Sequence, residues 1–121
     1  MSKITYGIIA GTTFDTKLGA EFFREQGLKA VSKYIAETAD LQNNLQYSNP
    51  KKLEQITIDA AAELKKMGAD IIIIYCNSLS AVLNIEKISA VTKVPIITPL
   101  DVYKNLELNK IDKLAVLAAN S

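Results

Sequence analysis

Ile71–Ile74 are four consecutive isoleucines, followed by Tyr75 and then by Cys76, the chain's only cysteine. A branched apolar run with no polar alternation has no face to offer to water. As a strand it must be covered on both sides. Ile4–Ala10, closed by Gly11, has the same profile. Strands of this kind, alternating with amphipathic helical segments, imply a parallel sheet with helices on both faces: a three-layer, flavodoxin-like α/β fold.

The remaining segments fit that alternation. Asp15 is placed to cap a helix over Thr16–Gln26, with Leu18, Phe22 and Phe23 inward and Gly27 as its stop. Leu28–Ala36 alternates in a way that leans to strand without excluding helix. The polar, Asn- and Gln-rich stretch Thr38–Asn49 reads as a loop over the top of the sheet. Asn49-Pro50 then opens a helix with proline at its first position, and Gly68 ends it. Leu53, Ile56, Thr57, Ala60, Ala61, Leu64 and Met67 form its apolar face. A helix over Ser80–Thr92, a short strand Val94–Thr98, a helix Asp101–Asn109 and a last strand Leu114–Ala119 complete the reading.

Composition narrows the function classes. The chain has 121 residues, the size of one domain able to bury its own core. Fourteen basic and thirteen acidic side chains leave a net charge of +1 with no basic cluster, which argues against nucleic acid. A single cysteine precludes an internal disulfide and suits a reducing cytoplasm. The N-terminal residues do not read as a signal peptide, and no span is long enough for a membrane. With no histidine, Ser-His-Asp triads, Cys-His dyads and His-based zinc sites are excluded, and no carboxylate cluster suggests a metal.

Ligands of parallel α/β sheets gather at the carboxyl ends of the strands. Here those ends are Gly11-Thr12-Thr13, Tyr75-Cys76-Asn77-Ser78, Thr98-Pro99 and Ala118-Ala119-Asn120-Ser121. They form a polar rim suited to an anion. Cys76 leads straight into the amide-rich first turn of a helix, an address that favours thiolate chemistry and attracts carboxylates. Each signal has a plainer explanation when taken alone. A lone cysteine at a strand end is usually a small buried hydrophobe, Asn77 and Ser78 are plausible helix caps, and Gly11 permits a tight turn. Their shared rim is what singles out Cys76 as catalytic candidate, with Gly11, Thr12, Thr13, Asn77, Ser78 and Thr98 as substrate-binding candidates. No dinucleotide or P-loop glycine motif is present.

Tyr75-Cys76-Asn77-Ser78-Leu79-Ser80-Ala81 resembles the Cys-Asn-Thr/Ala-Ser-Ala segment of the cofactor-independent Asp/Glu and hydantoin racemase superfamily. Val94-Pro95-Ile96-Ile97-Thr98-Pro99 and Lys113–Asn120 are similar to two further strands of that family, in the same order. Gly7–Gly11, followed by Gly19-Ala20-Glu21-Phe22-Phe23, looks like its opening. The resemblance implies racemisation of a small amino-acid-like carboxylate by two thiols facing each other across the α-carbon, without pyridoxal phosphate or metal. Cys76 would be one acid/base, Asn77 and Ser78 would hold the carboxylate, and Thr12 and Thr13 would line the pocket.

The resemblance covers the first of the family's two similar α/β halves, and this chain holds no second cysteine. The two-base reaction is therefore expected to need a second half or, in a homo-oligomer, a second copy. Exposed apolar surface is expected where such a partner would sit. Two readings from other classes stand beside the racemase: a non-catalytic carboxylate-binding or interaction domain, and a redox-sensing thiol.

Overall fold

The structure, a computed structural model, describes residues 4–105. Ten elements follow one another in this range: β1 (Thr5–Ala10), α1 (Thr13–Glu25), β2 (Lys29–Tyr34), α2 (Ala39–Ser48), α3 (Pro50–Lys66), β3 (Ile71–Ile74), α4 (Asn77–Val82), α5 (Ile85–Thr92), β4 (Ile96–Ile97) and α6 (Pro99–Lys104). The strands form one sheet in the order β2-β1-β3-β4, and every pairing is parallel. This is the α/β architecture expected from the two apolar runs.

Side-chain alternation along β1 assigns the helices to opposite faces. Ile8 packs against Gly19 of α1, where an added β-carbon would lie 3.0 Å from Ile8 Cγ2. Gly7 faces the other way, toward Leu64 of α3, Ala69 and Ile72. The main core lies on that second face. Ile9, Ile72 and Ile74 of the sheet pack with Leu53, Ala60, Ala61 and Leu64 of α3, Leu79 of α4 and Ile88 of α5. Asp70 ties the lower ends of β1 and β3 together: its carboxylate accepts from Thr5 N at 2.9 Å, and its own N–H donates to Thr5 O at 2.8 Å.

Several boundaries differ from the sequence reading, each for a local reason. The α1 cap is Thr12, whose Oγ1 accepts from Asp15 N, so the helix starts three residues before the expected Thr16 and Asp15 sits inside its first turn. Thr16, Gly19 and Ala20 are its buried residues, whereas Leu18 and Phe22 are about half exposed. The close approach through Gly19 turns the small residues inward and leaves Leu18 and Phe22 outside, while Phe23, partly buried, packs against Tyr6 of β1 with ring centroids 5.2 Å apart. Met67 likewise lies exposed at the C-cap of α3, beyond the buried face. Gly27 and Gly68 stop α1 and α3 with φ of +80° and +98°, which glycine adopts without strain.

The ambiguous Leu28–Ala36 contains a strand, β2, which lies at one side of the sheet and is only partly buried. That position explains its mixed pattern. Thr38–Asn49 is not a loop but contains helix α2, capped by Thr38 Oγ1 accepting from Leu41 N at 3.2 Å. The expected helix Ser80–Thr92 is two helices. Leu83 leaves helical geometry with ψ 143° to bury itself in the core, and Asn84 caps the second helix through Lys87 N. The strand expected over Val94–Thr98 is the short β4. The helix expected from Asp101 starts at Pro99, capped by Thr98 with Asp101 completing the capping box. The strand expected at Leu114–Ala119, the end of the helix expected to reach Asn109, and the rim residues Ala118–Ser121 lie outside the described residues. No helix among the described residues is long and apolar enough to cross a membrane.

Candidate functional site

In the sheet order, β1 has β2 on one side and β3 on the other, so the connections leaving β1 and β3 diverge. A crevice forms at such a switch point, above the carboxyl ends of the two strands. The pairing Ile9↔Ile74, extended two residues along each strand, brings Gly11 beside Cys76. Tyr75 N donates to Ile9 O at 2.7 Å, which holds the two chain segments together up to that point.

Cys76 is the N-cap residue of α4, in extended geometry with φ −165° and ψ 123°. Its carbonyl accepts from Ser80 N at 3.2 Å and from Ser80 Oγ at 2.6 Å, which anchors the backbone. Its side chain makes no capping bond. The sulfur instead lies 3.4 Å from Ser78 Oγ and accepts from Gln42 Nε2 at 3.6 Å. The thiol is free and half-buried.

Gln42 comes from α2, in the segment expected to be a loop. Only 7% exposed, its amide also donates to Ser78 Oγ at 3.3 Å and to Gln46 Oε1 at 3.0 Å. Its carboxamide lies directly over Gly11, so that any β-carbon there would overlap it. Gly11 is buried, and its carbonyl accepts from Ala36 N at 2.9 Å. Gln42 was not identified as a site residue from sequence. The signals that could have found it are Thr38 as a cap and the Gln42–Gln46 spacing of one helical turn.

Gly11, Cys76 and Ser78 therefore meet around one carboxamide. Thr12 follows Gly11 in the chain and is half-buried, with its Oγ1 capping α1. Thr13 is exposed, its hydroxyl directed at Glu37 O at 3.5 Å. Asn77 is exposed and turned toward α6, where Oδ1 accepts from Tyr103 Oη at 3.2 Å. Thr98 is buried in the α6 capping box: its N–H and hydroxyl donate to Asp101 Oδ2 at 2.9 and 3.2 Å, and Oγ1 accepts from Asp101 N. An open cavity of about 660 Å³ adjoins Thr98, Ser80 and Asp101, on the β4–α6 side of the site. Among the described residues no group of His, Cys, Asp or Glu side chains is arranged to hold a metal ion.

The arrangement belongs to the class of parallel α/β domains that carry a thiol at the sheet's switch point. The chain matches no protein-family model and no curated protein. Among solved structures it is similar to a protein from Yersinia pestis provisionally assigned as an Asp/Glu racemase, with a TM-score of 0.62 and 18% identity. The match covers 81% of this chain and 46% of that one, so the chain spans less than half the length of the structure it matches. At this identity the likeness is one of fold.

Proposed function

We propose that the chain is the first, Cys76-bearing half of an Asp/Glu-racemase-like protein, and that it transfers the α-proton of a small amino-acid-like carboxylate through this thiol. The observation that carries the reading is the sulfur itself. It stands at the switch point of the sheet, unused as a helix cap, with hydrogen-bonding groups from Ser78 and Gln42 against it. The fold likeness to a racemase-type structure supports the same reading.

In the proposed step the Cys76 thiolate takes the substrate α-proton, and the electron pair left on carbon passes into the carboxylate to give an enediolate. Ser78, with Thr12 and the backbone at Gly11, would stand at the carboxylate. Asn77 and Thr98 would support α4 and α6 around them, and Thr13 would line the entrance. No cofactor is needed for this chemistry. One thiol can return the proton only to the face it came from, so inversion calls for a second acid from a second half or from another copy.

The experiment is α-proton exchange in heavy water with D- and L-aspartate and glutamate. The proposal expects solvent deuterium at Cα with wild-type protein and none with Cys76→Ser. The single cysteine favours a second reading, a carboxylate-binding domain without catalysis. That reading expects ligand binding with no exchange in either protein.

A further inference from the structure

We propose that Gln42 is the positioning residue of the Cys76 thiol: its amide, anchored by Gln46, holds the sulfur against Ser78 at the start of α4. The geometry is a closed triangle, with Gln42 Nε2 3.3 Å from Ser78 Oγ, Ser78 Oγ 3.4 Å from Cys76 Sγ, and Sγ 3.6 Å from Nε2. A primary amide has two N–H groups. One goes to Gln46 Oε1, and the other is directed between the hydroxyl and the sulfur. When the sulfur is charged, the amide and the Ser78 hydroxyl can both donate to it. When it carries a proton, that set of bonds loses its best acceptor. The two donors therefore fix where the sulfur sits.

Burial makes a purely incidental contact a poor explanation. A carboxamide taken out of water is costly unless its polar atoms are partnered. Gln42 is nevertheless the buried residue of α2, a helix whose Leu41 and Tyr47 are largely exposed. The helix is thus seated on the site through a polar side chain. A cavity of about 370 Å³ adjoins Leu41, Leu45, Ile35 and Ile56, and Leu45 packs partly buried against the core beside it. Gly11 completes the seat, since its lack of a side chain provides the volume that the carboxamide fills.

The ionisable side chains on the surrounding elements make no hydrogen bond to the sulfur. They include Tyr75 next to the cysteine, Asp15 on α1, Glu37 and Asp40 before and at the start of α2, and Asp101, Tyr103 and Lys104 on α6; Asp101 is engaged by Thr98, and Tyr103 by Asn77. Among the described residues, the groups that hydrogen-bond the thiol are neutral donors rather than a cation.

The inference rests on Cys76 being the reactive group of the proposed function. Its test reads the thiol directly, by alkylation with neutral iodoacetamide across pH, while α-proton exchange reads the function. The quantity compared is the rate at pH 7 divided by the high-pH plateau, which cancels changes in access. Gln42→Ala is expected to lower this ratio about fivefold, the effect of one lost hydrogen bond. Gln42→Glu, which places an anion beside the sulfur, is expected to lower it further.

Gly11→Ala gives an independent arm. The atoms nearest to its β-carbon are all at the end of the flexible Gln42 side chain, so the substitution is expected to expel the amide without moving backbone, which circular dichroism of the variant checks. It should match Gln42→Ala, and the double variant should show no further loss. An unchanged ratio in Gln42→Ala and Gly11→Ala, full additivity of the two, or a wild-type thiol inert at every pH overturns the inference. Altered ratios with no α-proton exchange in any protein would overturn the racemase reading and leave the role of Gln42 standing.

Discussion

Gly11 and Gln42 compete for one volume: the carboxamide of Gln42 occupies the space that a side chain on residue 11 would need. This relationship couples the end of β1 to α2 and presses an amide against Cys76. It also separates Gly11, just past the end of β1, from Gly7 within that strand. Gly7 faces Ile72, Ala69 and Leu64, with the nearest atom 2.6 Å from where a β-carbon would lie. Gly7→Ala should lose about 1–3 kcal/mol through overpacking, and Gly11→Ala less than about 1 kcal/mol because a side-chain end can move. Urea denaturation of both variants measures the contrast.

Leu64 and Leu18 provide a second contrast. Leu64 is fully buried between α3 and the sheet, and Leu64→Ala should cost about 2–5 kcal/mol. Leu18, which the apolar pattern of the helix places inward, is half exposed, and Leu18→Ala should change stability by no more than about 0.5 kcal/mol. Equal losses would contradict the packing of α1 through Gly19.

Thr98 should behave as a cap. Thr98→Ala removes the acceptor for Asp101 N and the hydroxyl donor to Asp101 Oδ2, at a cost of about 1 kcal/mol. Faster hydrogen exchange is expected at the first amides of α6, with no change in β1.

Ser78 and Asn77 differ in what they touch, although both follow Cys76 in sequence. Ser78 meets the sulfur and Gln42, while Asn77 accepts from Tyr103. Under the proposed function, Ser78→Ala should lower α-proton exchange by about tenfold, the order expected for a hydrogen bond to a charged group. Asn77→Ala should act more through α6, seen as faster hydrogen exchange there.

The apolar runs made the sheet legible from sequence, because Ile8, Ile9, Ile72 and Ile74 have no polar alternative to burial. Cys76 and Ser78 were legible as rim residues because they follow such a run. The helix α2 was not. It is capped by Thr38, its buried residue is the polar Gln42, and Leu45 is only partly buried against the core, so it lacks the apolar stripe by which helices are recognised. The break at Leu83 escaped for the opposite reason: a leucine at helical spacing gives no hint that it leaves the helix to enter the core. Caps were displaced where two candidates stood close together. Thr12 and Thr98 hold the cap positions, and Asp15 and Asp101 sit at the third helical residue.

The central claim is that Cys76 moves an α-proton. Its most direct measurement is the proton NMR signal of Cα–H of L-aspartate and L-glutamate in heavy water, followed with wild-type protein and with Cys76→Ser. The account predicts a steady loss of that signal with wild type, configuration retained when only one thiol is present, and no loss with the variant. A signal that persists unchanged with wild-type protein, under conditions where the amino acid is bound, would contradict it.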